Sequence, residues 1–509
     1  MKKIFALLLL LLNLYSQAQI QDLAEMASGD LVNFQALYDQ NDKFYGYFTI
    51  YNQGEVNNNF RKFEYIILDK NLNKVSSNTF EGEKKNLTYT AFFDINGDVI
   101  LAPYLDSSQL SIWGIGKFVF PEYKKIDIKT SKVETYYGKC YENNAFVNCE
   151  PNKSWRESKK DIKAERKAKG YIDESYVSVL KKGKLLVRQY KDYDKYIKDN
   201  VIMYFDENEK MIWKYDYNNL ADKKNSESIS KIDIDDKAFY GIKTIKQNKE
   251  LTYKLIVLDI NTGKVLAENP ITGLTNETIQ NILYTNNSSD AYKKIYDDKI
   301  IIFSQNITGS MVTGYARMIV NKTDFSVDGN VIFYKEDLKS FIPKIDKYGG
   351  VESGYYLVSK DIFYLKDGSL AILTEKFKPA GQYSRMKTTD MVYIVTDKDF
   401  KVKEVKTLEK EKSKGQYTDY LFSQYLNNDQ DVVFFYKDFQ KDDESKDKNW
   451  ILFINTLQNG VFKQEQTIIS SKNDKFMIYP YVAKEGYILL REYNEKDKYN
   501  QIRLEKLNY

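Results

Sequence analysis

The chain has 509 residues, a formal net charge of +4 and no histidine. The absence of an imidazole excludes Ser-His-Asp and Cys-His catalysis, histidine-ligated metals and a histidine pH switch. A net charge this close to zero argues against a dedicated nucleic-acid binder, which would carry a strongly basic domain.

The N-terminus has the features of a secretory signal peptide. Residues 1–3 are basic, residues 4–12 are apolar without interruption, and residues 16–18 (SQA) offer a small-x-small cleavage site. Residues 1–18 are therefore predicted to be removed on export to the periplasm or the cell exterior. Since Gln19 rather than a cysteine follows, no lipid anchor is expected. No later segment has the ~18 apolar residues of a transmembrane helix.

After the leader, one pattern recurs along the chain. Five or six β-branched and aromatic residues precede an Asp- or Asn-led turn and a second extended segment, as in Tyr253–Val265 (YKLIVLDINTGKV). Asx side chains bond their own backbone in turns, and the flanking residue types favour strands. The other copies begin at Phe63, Tyr123, Val201, Tyr315, Met391, Trp450 and Gln501. A hairpin signal precedes each copy, so each unit is predicted to be a four-stranded meander.

Eight such units of roughly 50–80 residues resemble the repeats of β-propellers in their architecture. No WD dipeptide, kelch double glycine or Asp-box is present, so the resemblance implies a fold and no function. The expected fold class is all-β: a β-propeller of about eight, alternatively seven, four-stranded blades with one short helical insertion, in a single domain over residues 19–509. The last copy lacks a fourth strand, which residues 20–30 would supply if the chain ends pair. The alternative is a three-stranded final blade.

An insertion at residues 138–175 interrupts the repeat. Cys140 and Cys149 are the only cysteines, and they bracket a short hairpin pattern. In an exported protein this spacing predicts a disulfide. Metal binding by two thiols alone is a poorer alternative.

A basic helix is predicted directly after this hairpin, over residues 154–169. Residues 154–157 (SWRE) fit a capping box, and eight Lys or Arg stand against three acids between residues 153 and 169. One interpretation is a solvated helix lying on the sheets, and the other is a contact with an anionic partner or membrane surface. The positions proposed for that surface contact are Trp155, Lys159, Lys163 and Arg166.

Three long polar connections, at residues 305–314, 377–389 and 437–449, are predicted to join the second and third strands of their units. Equivalent positions place them on one face, where binding loops on a rigid scaffold usually lie. The segment Asp94–Asp98 (DINGD) has the spacing of the start of a calcium loop. Val99 and Leu105 stand where that loop needs Gly and Glu, so a structural turn is preferred and no metal site is predicted.

The 43 tyrosines suit half-buried strands, with sugar or peptide stacking as the alternative. The first functional hypothesis is an exported, non-enzymatic binding or assembly module, monomeric, with an unknown protein or glycan ligand. The alternative is a carboxylate-based glycan hydrolase or lyase, which needs two acids about 5–10 Å apart. A third is envelope association through the basic helix. The sequence identifies no catalytic residue and no cofactor.

Overall fold

The computed structural model describes residues 19–508 except 24, 41–42, 106–121, 143–144, 149–159, 161–162, 165–171, 174–175, 181, 189, 192–199, 218–223, 288–291, 309–310, 347, 353, 381–384, 415–417, 442–447, 472–474 and 495–498. The predicted signal peptide lies outside the described residues, so export stays a prediction. The chain divides into two compact units, one made of residues 1–154 and 420–509 and the other of residues 155–419. A single domain over residues 19–509 likewise stays a prediction.

The first unit contains four antiparallel meander sheets and one separate hairpin. In sheet order, the strands are β2 (Asp30–Tyr38), β3 (Phe44–Glu55), β4 (Phe60–Asp69) and β5 (Lys74–Glu83); β6 (Asn86–Phe93), β7 (Val99–Leu105), β8 (Glu122–Asp127) and β9 (Lys132–Tyr137); β31 (Tyr420–Leu426), β32 (Asp431–Lys441), β33 (Lys448–Gln458) and β34 (Val461–Ile468); and β35 (Ser470–Ser471), β36 (Phe476–Val482), β37 (Tyr487–Asn494), β38 (Tyr499–Lys506) and β1 (Gln19–Asp22). The hairpin pairs β10 (Lys139–Glu142) with β11 (Ala145–Asn148).

The second unit also contains four meander sheets. Their strands are β13 (Tyr176–Leu180), β14 (Gly183–Arg188), β16 (Asn200–Phe205) and β17 (Met211–Tyr217); β18 (Asn225–Ile234), β19 (Ala238–Gln247), β20 (Glu250–Asp259) and β21 (Val265–Pro270); β22 (Tyr292–Ile295), β23 (Lys299–Thr308), β24 (Met311–Asn321) and β25 (Val327–Phe333); and β26 (Tyr356–Tyr364), β27 (Leu370–Lys378), β28 (Lys387–Thr396) and β29 (Val402–Leu408). Smaller elements are β12 (Ile172–Asp173) on β15 (Tyr190–Lys191), β30 (Ser413–Lys414) on β28, and the helices α1 (Asn276–Asn287) and α2 (Tyr334–Asp337).

A turn capped by an Asx side chain joins the third and fourth strands of six sheets. In each, the side-chain Oδ1 accepts a hydrogen bond of 2.8–3.0 Å from the backbone N–H two residues later. The capping residues are Asp69, Asp127, Asp206, Asp259, Asn321 and Asp397. The Asx-led turn is therefore confirmed as the repeated joint of the fold.

Both faces of a sheet are buried against neighbouring sheets of the same unit. Residues 65–68 of β4 are all 0% exposed, although consecutive strand residues point to opposite faces. Tyr65 and Ile67 pack with the sheet β6–β9, whereas Ile66 and Leu68 pack toward the sheet that contains β37 and β38. This two-sided burial explains why the repeated apolar runs are continuous rather than alternating.

The same succession holds throughout the second unit. One core cluster joins the sheets β13–β17 and β18–β21, a second joins β18–β21 and β22–β25, and a third joins β22–β25 and β26–β29. Sequential four-stranded meanders stacked face to face are the building plan of a β-propeller. The all-β, β-propeller class predicted from the sequence is confirmed, and the described residues form eight meander sheets, consistent with eight repeats.

The two ends of the chain pair with each other. Strand β1 runs antiparallel to β38, with Gln19 opposite Leu504 and Asp22 opposite Gln501. Leu23 follows β1, is fully buried, and accepts a hydrogen bond on its carbonyl from the Tyr51 hydroxyl at 2.8 Å. The prediction that the N-terminal residues supply the missing strand is confirmed.

Helix α1 was not among the predicted elements. Its 12 residues begin after Thr275, whose Oγ1 accepts a hydrogen bond from the backbone N–H of Thr278 at 3.2 Å. Ile279 and Ile282 are buried against β20 and β23 in the core. The cap residue and the three-residue apolar spacing are signals for a helix in the sequence. Among the described residues, no helix has the length and apolar character needed to cross a membrane.

The prediction of three long loops between second and third strands was wrong for most of their length. Residues 305–308 and 311–314 belong to β23 and β24, residues 377–378 and 387–389 to β27 and β28, and residues 437–441 and 448–449 to β32 and β33. These strands extend beyond the apolar core, so their outer residues are polar while the backbone ladder continues. Polar composition alone therefore marked them as loops.

Replacing Leu23 with alanine tests the contribution of the chain-end closure. The Leu23→Ala variant removes a fully buried side chain from the core beside β37 and β38. We expect the free energy of unfolding to fall by about 2–5 kcal/mol in urea titrations. Leu87→Ala in the same unit is the matched control, because Leu87 is 41% exposed. Equal losses in both variants would contradict a packing role for Leu23.

The capped turns predict a specific pH dependence. Hydrogen bonds from Thr262, first from its hydroxyl, hold the pKa of Asp259 below its ordinary value. This stabilisation is present above the pKa of the unfolded chain, about 3.9, and is lost as pH falls through the lower folded value. Asp259→Ala should therefore cost about 1 kcal/mol at neutral pH and progressively less in acid, measured by urea unfolding across pH.

The exposed Asp236 supplies the control for this experiment. Asp236→Ala should change stability by no more than about 0.5 kcal/mol at any pH. A loss for Asp259→Ala that stays constant from neutral to acid pH would show that the carboxylate charge does not stabilise the turn.

Candidate functional site

The hairpin of β32 and β33, with the adjoining strand β34, carries a pocket of about 290 Å³ in the first unit. We call it the hairpin pocket. It is lined by Gln440, Lys441, Asn449, Ile451, Gln466, Thr467 and Ile468. The first three belong to the segment 437–449 that the sequence had indicated as a binding connection, although that segment is largely strand rather than loop.

Strand register brings the pocket residues together. Gln440 lies directly opposite Asn449 across the β32–β33 ladder, and Ile451 lies opposite Ile468 across the β33–β34 ladder. Residues opposite each other, or two apart on one strand, project from the same face of a sheet. The amides of Gln440 and Asn449 and the aliphatic side chain of Ile451 therefore share one face at the end of the hairpin.

A buried carboxylate positions one of these amides. Asp438 is 0% exposed, and its Oδ2 accepts a hydrogen bond of 2.7 Å from Nε2 of Gln440. Its Oδ1 accepts a second bond of 2.9 Å from the backbone N–H of Phe439. Because Asp438 is held by the backbone of the same strand, it restrains the Gln440 amide at the pocket wall.

The opposite face of the hairpin is aromatic and basic. The rings of Phe439 and Trp450 lie 5.0 Å apart, and the Lys437 ammonium lies 4.7 Å from the Trp450 ring centroid. Trp450 packs against the core between this sheet and the sheet of β36–β38. This packing anchors the hairpin, so the pocket is built on rigid strands.

The pocket offers a definite set of chemical groups. Gln440, Asn449 and Gln466 each supply an amide that can both donate and accept hydrogen bonds, and Thr467 adds a hydroxyl. Ile451 and Ile468 add aliphatic surface. The volume lies near the lower end of the roughly 300–1,000 Å³ found for small-molecule sites. This combination suits a small, neutral ligand with many hydroxyl groups.

A second charged cluster lies inside the second unit and contains the acid pair that a carboxylate enzyme would need. Glu375 on β27 and Asp419 are both 0% exposed. The Lys410 ammonium lies between them, 2.6 Å from Oδ2 of Asp419 and 3.5 Å from Oε1 of Glu375. Lys360 on β26 contacts the other oxygen of Glu375 at 3.3 Å.

Neutral groups complete this cluster. The Ser413 hydroxyl donates to Oδ2 of Asp419 at 2.7 Å, and the backbone N–H of Asp419 donates to Oε1 of Glu375 at 3.2 Å. Two carboxylates facing two lysines form a neutralised set that is stable only because every charge has a partner. The arrangement fastens residues 410–419 to the sheet β26–β29.

The predicted surface-contact residues are only partly described. Lys163 is helical and exposed, as are Lys160 and Ala164, in agreement with a helix in this segment. Trp155, Lys159 and Arg166 lie outside the described residues. Their role in a surface contact stays a prediction.

The predicted cysteine hairpin is present as β10 and β11, with Cys140 on β10 opposite Val147. Cys149 lies outside the described residues, so the disulfide stays a prediction. Phe146 of the hairpin stacks on Tyr136 with a centroid distance of 3.8 Å, and Tyr141 packs edge-on against Phe146 at 5.2 Å. Burial, with a smaller contribution from the Asp94 charge, raises the pKa of Tyr141 to about 12.

The calcium-like segment forms a turn. Oδ1 of Asp94 accepts backbone N–H bonds from Asn96 at 2.8 Å and Asp98 at 2.9 Å. Lys125 pairs with Asp98 at 2.8 Å, and this contact raises the pKa of Lys125. In the part of the chain that the structure describes, no three acidic or sulfur ligands are grouped as a metal site.

Sequence reasoning missed both Asp438 and the Glu375 cluster. In each case one acid interrupts an apolar strand, FFYKDF in β32 and AILTEKF in β27. A charge inside such a run is a signal for a buried, partnered group. Its partners, however, cannot be identified without the tertiary structure.

No family model matches the sequence, and no curated protein matches it. Similar solved structures include the WD40 domain of SCAP from fission yeast, with 8% identity, a TM-score of 0.32 and coverage of 96% of this chain and 97% of that chain. Another is the β-propeller domain of the Trilobed protease from Pyrococcus furiosus, with 10% identity, a TM-score of 0.29 and coverage of 88% and 100%.

A third similar structure is a polysaccharide lyase, an ulvan lyase, with 10% identity, a TM-score of 0.31 and coverage of 82% of this chain and 91% of that chain. At these identities and TM-scores, the similarities carry no argument about what this chain does. The fold assignment rests on the sheets and their packing.

The buried acid cluster predicts a large stability loss when its shared cation is removed. Lys410→Met would leave Glu375 and Asp419 without their common partner. We expect a loss of about 3–5 kcal/mol in the free energy of unfolding, measured in urea. The exposed neighbour gives the control variant, Lys412→Met, which should change stability by less than about 0.5 kcal/mol. Similar stabilities for the two variants would rule out a structural role for the Lys410 charge.

Proposed function

We propose that this chain is an exported, non-enzymatic binding module that holds a neutral saccharide unit in the hairpin pocket. The observation that carries the proposal is the convergence of three amides and two isoleucines on one rigid hairpin. Sugar hydroxyls pair with amide groups, and the C–H surface of a sugar ring packs on aliphatic side chains. Export is part of the proposal and rests on residues 1–18.

Preorganisation supports a binding role for this pocket. Asp438 already holds the Gln440 amide at 2.7 Å, and the strand ladders fix the spacing of Asn449 and Ile451. A ligand therefore orders few side chains when it binds, which reduces the entropy cost of association. Rigid strand ends of this kind support specific recognition of small ligands.

The alternative, a carboxylate-based glycan hydrolase or lyase, would use an acid pair such as Glu375 and Asp419. Both side chains are fully buried and share Lys410. Glycoside hydrolysis requires acids that reach the scissile bond from solvent-accessible positions. The burial and charge pairing of these two acids favour a structural role, and therefore favour the binding module.

The binding proposal predicts the effect of two pocket variants. The mature protein is tested on an array of neutral oligosaccharides, with peptides as a second arm, and the strongest ligand is titrated by calorimetry. Gln440→Ala and Asn449→Ala should each raise Kd about tenfold, because each removes a hydrogen-bonding amide from the pocket wall.

The control variant is Gln247→Ala, the same change at the exposed end of β19, another second strand. It should leave Kd unchanged. Saccharide binding that survives both pocket variants would overturn the proposed site. A peptide ligand displaced by the pocket variants would overturn the saccharide assignment. Release of new reducing ends or unsaturated products that Glu375→Gln abolishes would overturn the non-enzymatic assignment.

A further inference from the structure

A second group of polar side chains lies on the first strands of three successive sheets in the second unit. Ser178 is on β13, Lys231 and Asp233 are on β18, and Lys293 is on β22. We call this group, with the adjoining Lys322 and Asp235, the first-strand lysine cluster. Because successive sheets of the unit pack face to face, their first strands bring these residues into contact.

The printed distances define the contacts between neighbouring first strands. The Lys231 ammonium donates to the Ser178 hydroxyl at 2.8 Å, which links β18 to β13. The Lys293 ammonium donates to the backbone carbonyl of Ile232 at 2.6 Å, which links β22 to β18. Each lysine thus uses one of its three N–H donors for the scaffold in these contacts, so their positions are restrained.

The anionic partners within the cluster are held at longer distances or used elsewhere. Oδ1 of Asp233 lies 3.8 Å from the Lys293 ammonium, and its Oδ2 lies 3.9 Å from Lys322. Asp235 pairs closely with Lys322, at 2.9 Å. Among the described members of the cluster, three lysines face two aspartates, so the group carries an excess positive charge.

Burial strengthens the electrostatic effect of that charge. Desolvation, followed by repulsion from Lys293, lowers the pKa of Lys231. Desolvation also raises the pKa of Asp233, with Lys293 opposing the shift. Both directions indicate a site with reduced solvent screening, where an added negative charge interacts more strongly than at an exposed surface.

The backbone of β18 is irregular at this point. The register of β18 against β19 shifts between Lys231 and Asp233, which leaves Ile232 as the extra residue of a β-bulge. A bulge alters the direction of neighbouring side chains and occurs frequently beside functional sites. Here it lies between the two charged residues of β18. The Lys293 side chain keeps 28% exposure, so the cluster is accessible to solvent.

We propose that the first-strand lysine cluster is a second ligand site that binds the oxyanion group, carboxylate or sulfate, of an acidic saccharide between Lys231 and Lys293. The Ser178 hydroxyl adds a neutral donor at the same place. The anion offsets the repulsion between the two ammonium groups and stands in for water that burial has removed. This site does not depend on the hairpin pocket, which lies in the other unit.

The test uses calorimetric titration of the mature protein with three defined probes. These are a digalacturonate, a sulfated disaccharide and the corresponding neutral disaccharide. Wild-type protein should bind at least one charged probe, more weakly at high salt, and should not bind the neutral probe at this site. The double variant Lys231→Met/Lys293→Met should raise Kd for the charged probe at least tenfold.

Three further variants make the result decisive. Lys246→Met removes an exposed lysine from the same sheet and should leave Kd unchanged. Lys231→Arg/Lys293→Arg keeps both charges and should retain binding, which covers the case in which the methionine variant fails to fold. Gln440→Ala should not affect the charged probe, which separates this site from the hairpin pocket.

Preference for one charged probe identifies the carboxylate or sulfate form of the ligand and supports the proposal. No binding of either charged probe to wild-type protein would overturn it. So would equal affinities of wild-type protein and a folded Lys231→Met/Lys293→Met variant, or loss of binding in the arginine variant together with an intact fold.

Discussion

Each meander sheet of this protein has two apolar faces, and the need to cover both governs the structure. Four consecutive residues of β20, Leu255 to Leu258, are 0% exposed although they alternate between faces. Leu255 and Val257 contribute to one core cluster, and Ile256 and Leu258 to another. Since an isolated sheet would leave one such set in water, stability depends on successive sheets packing on each other.

This constraint also determines how the chain treats buried charge. Where the sheets enclose an ionic group, a partner of opposite charge lies beside it, as for Glu375 and Lys410 or for Glu122 and Lys124. Burial lowers the pKa of Lys124, and the hydrogen bond to Glu122 opposes that shift. Removing either partner would leave a desolvated charge, so such pairs contribute to fold specificity more than to net stability.

Polar groups suited to recognition occur where the cover is incomplete. The ends of β32 and β33 extend beyond the apolar core and carry amides. The first strands β18 and β22 carry lysines with partial exposure. Both locations combine a strand backbone with side chains that are neither fully buried nor fully solvated. Such positions allow a ligand to meet preoriented donors without a large ordering cost.

Much of the fold could be predicted because its signals are local. The Asx residue at Asp259 specifies its turn through bonds to residues two and three positions later, and the runs beside it specify strands by composition. Even the pairing of β1 with β38 followed from an unfilled strand position in the repeat. The extended hairpin around Lys437 was misassigned because strand residues beyond the core are as polar as loop residues.

Sequence alone therefore determined the strand-and-turn repeat, the β-propeller class and the exclusion of imidazole chemistry, since each depends on composition or on contacts within a few residues. Only the tertiary structure decided which side chains meet. Gln440 and Gln466, like Lys231 and Lys293, are brought together by ladder register or by the packing of separate sheets. Those contacts depend on long-range burial, to which no short segment of the chain is sensitive by itself.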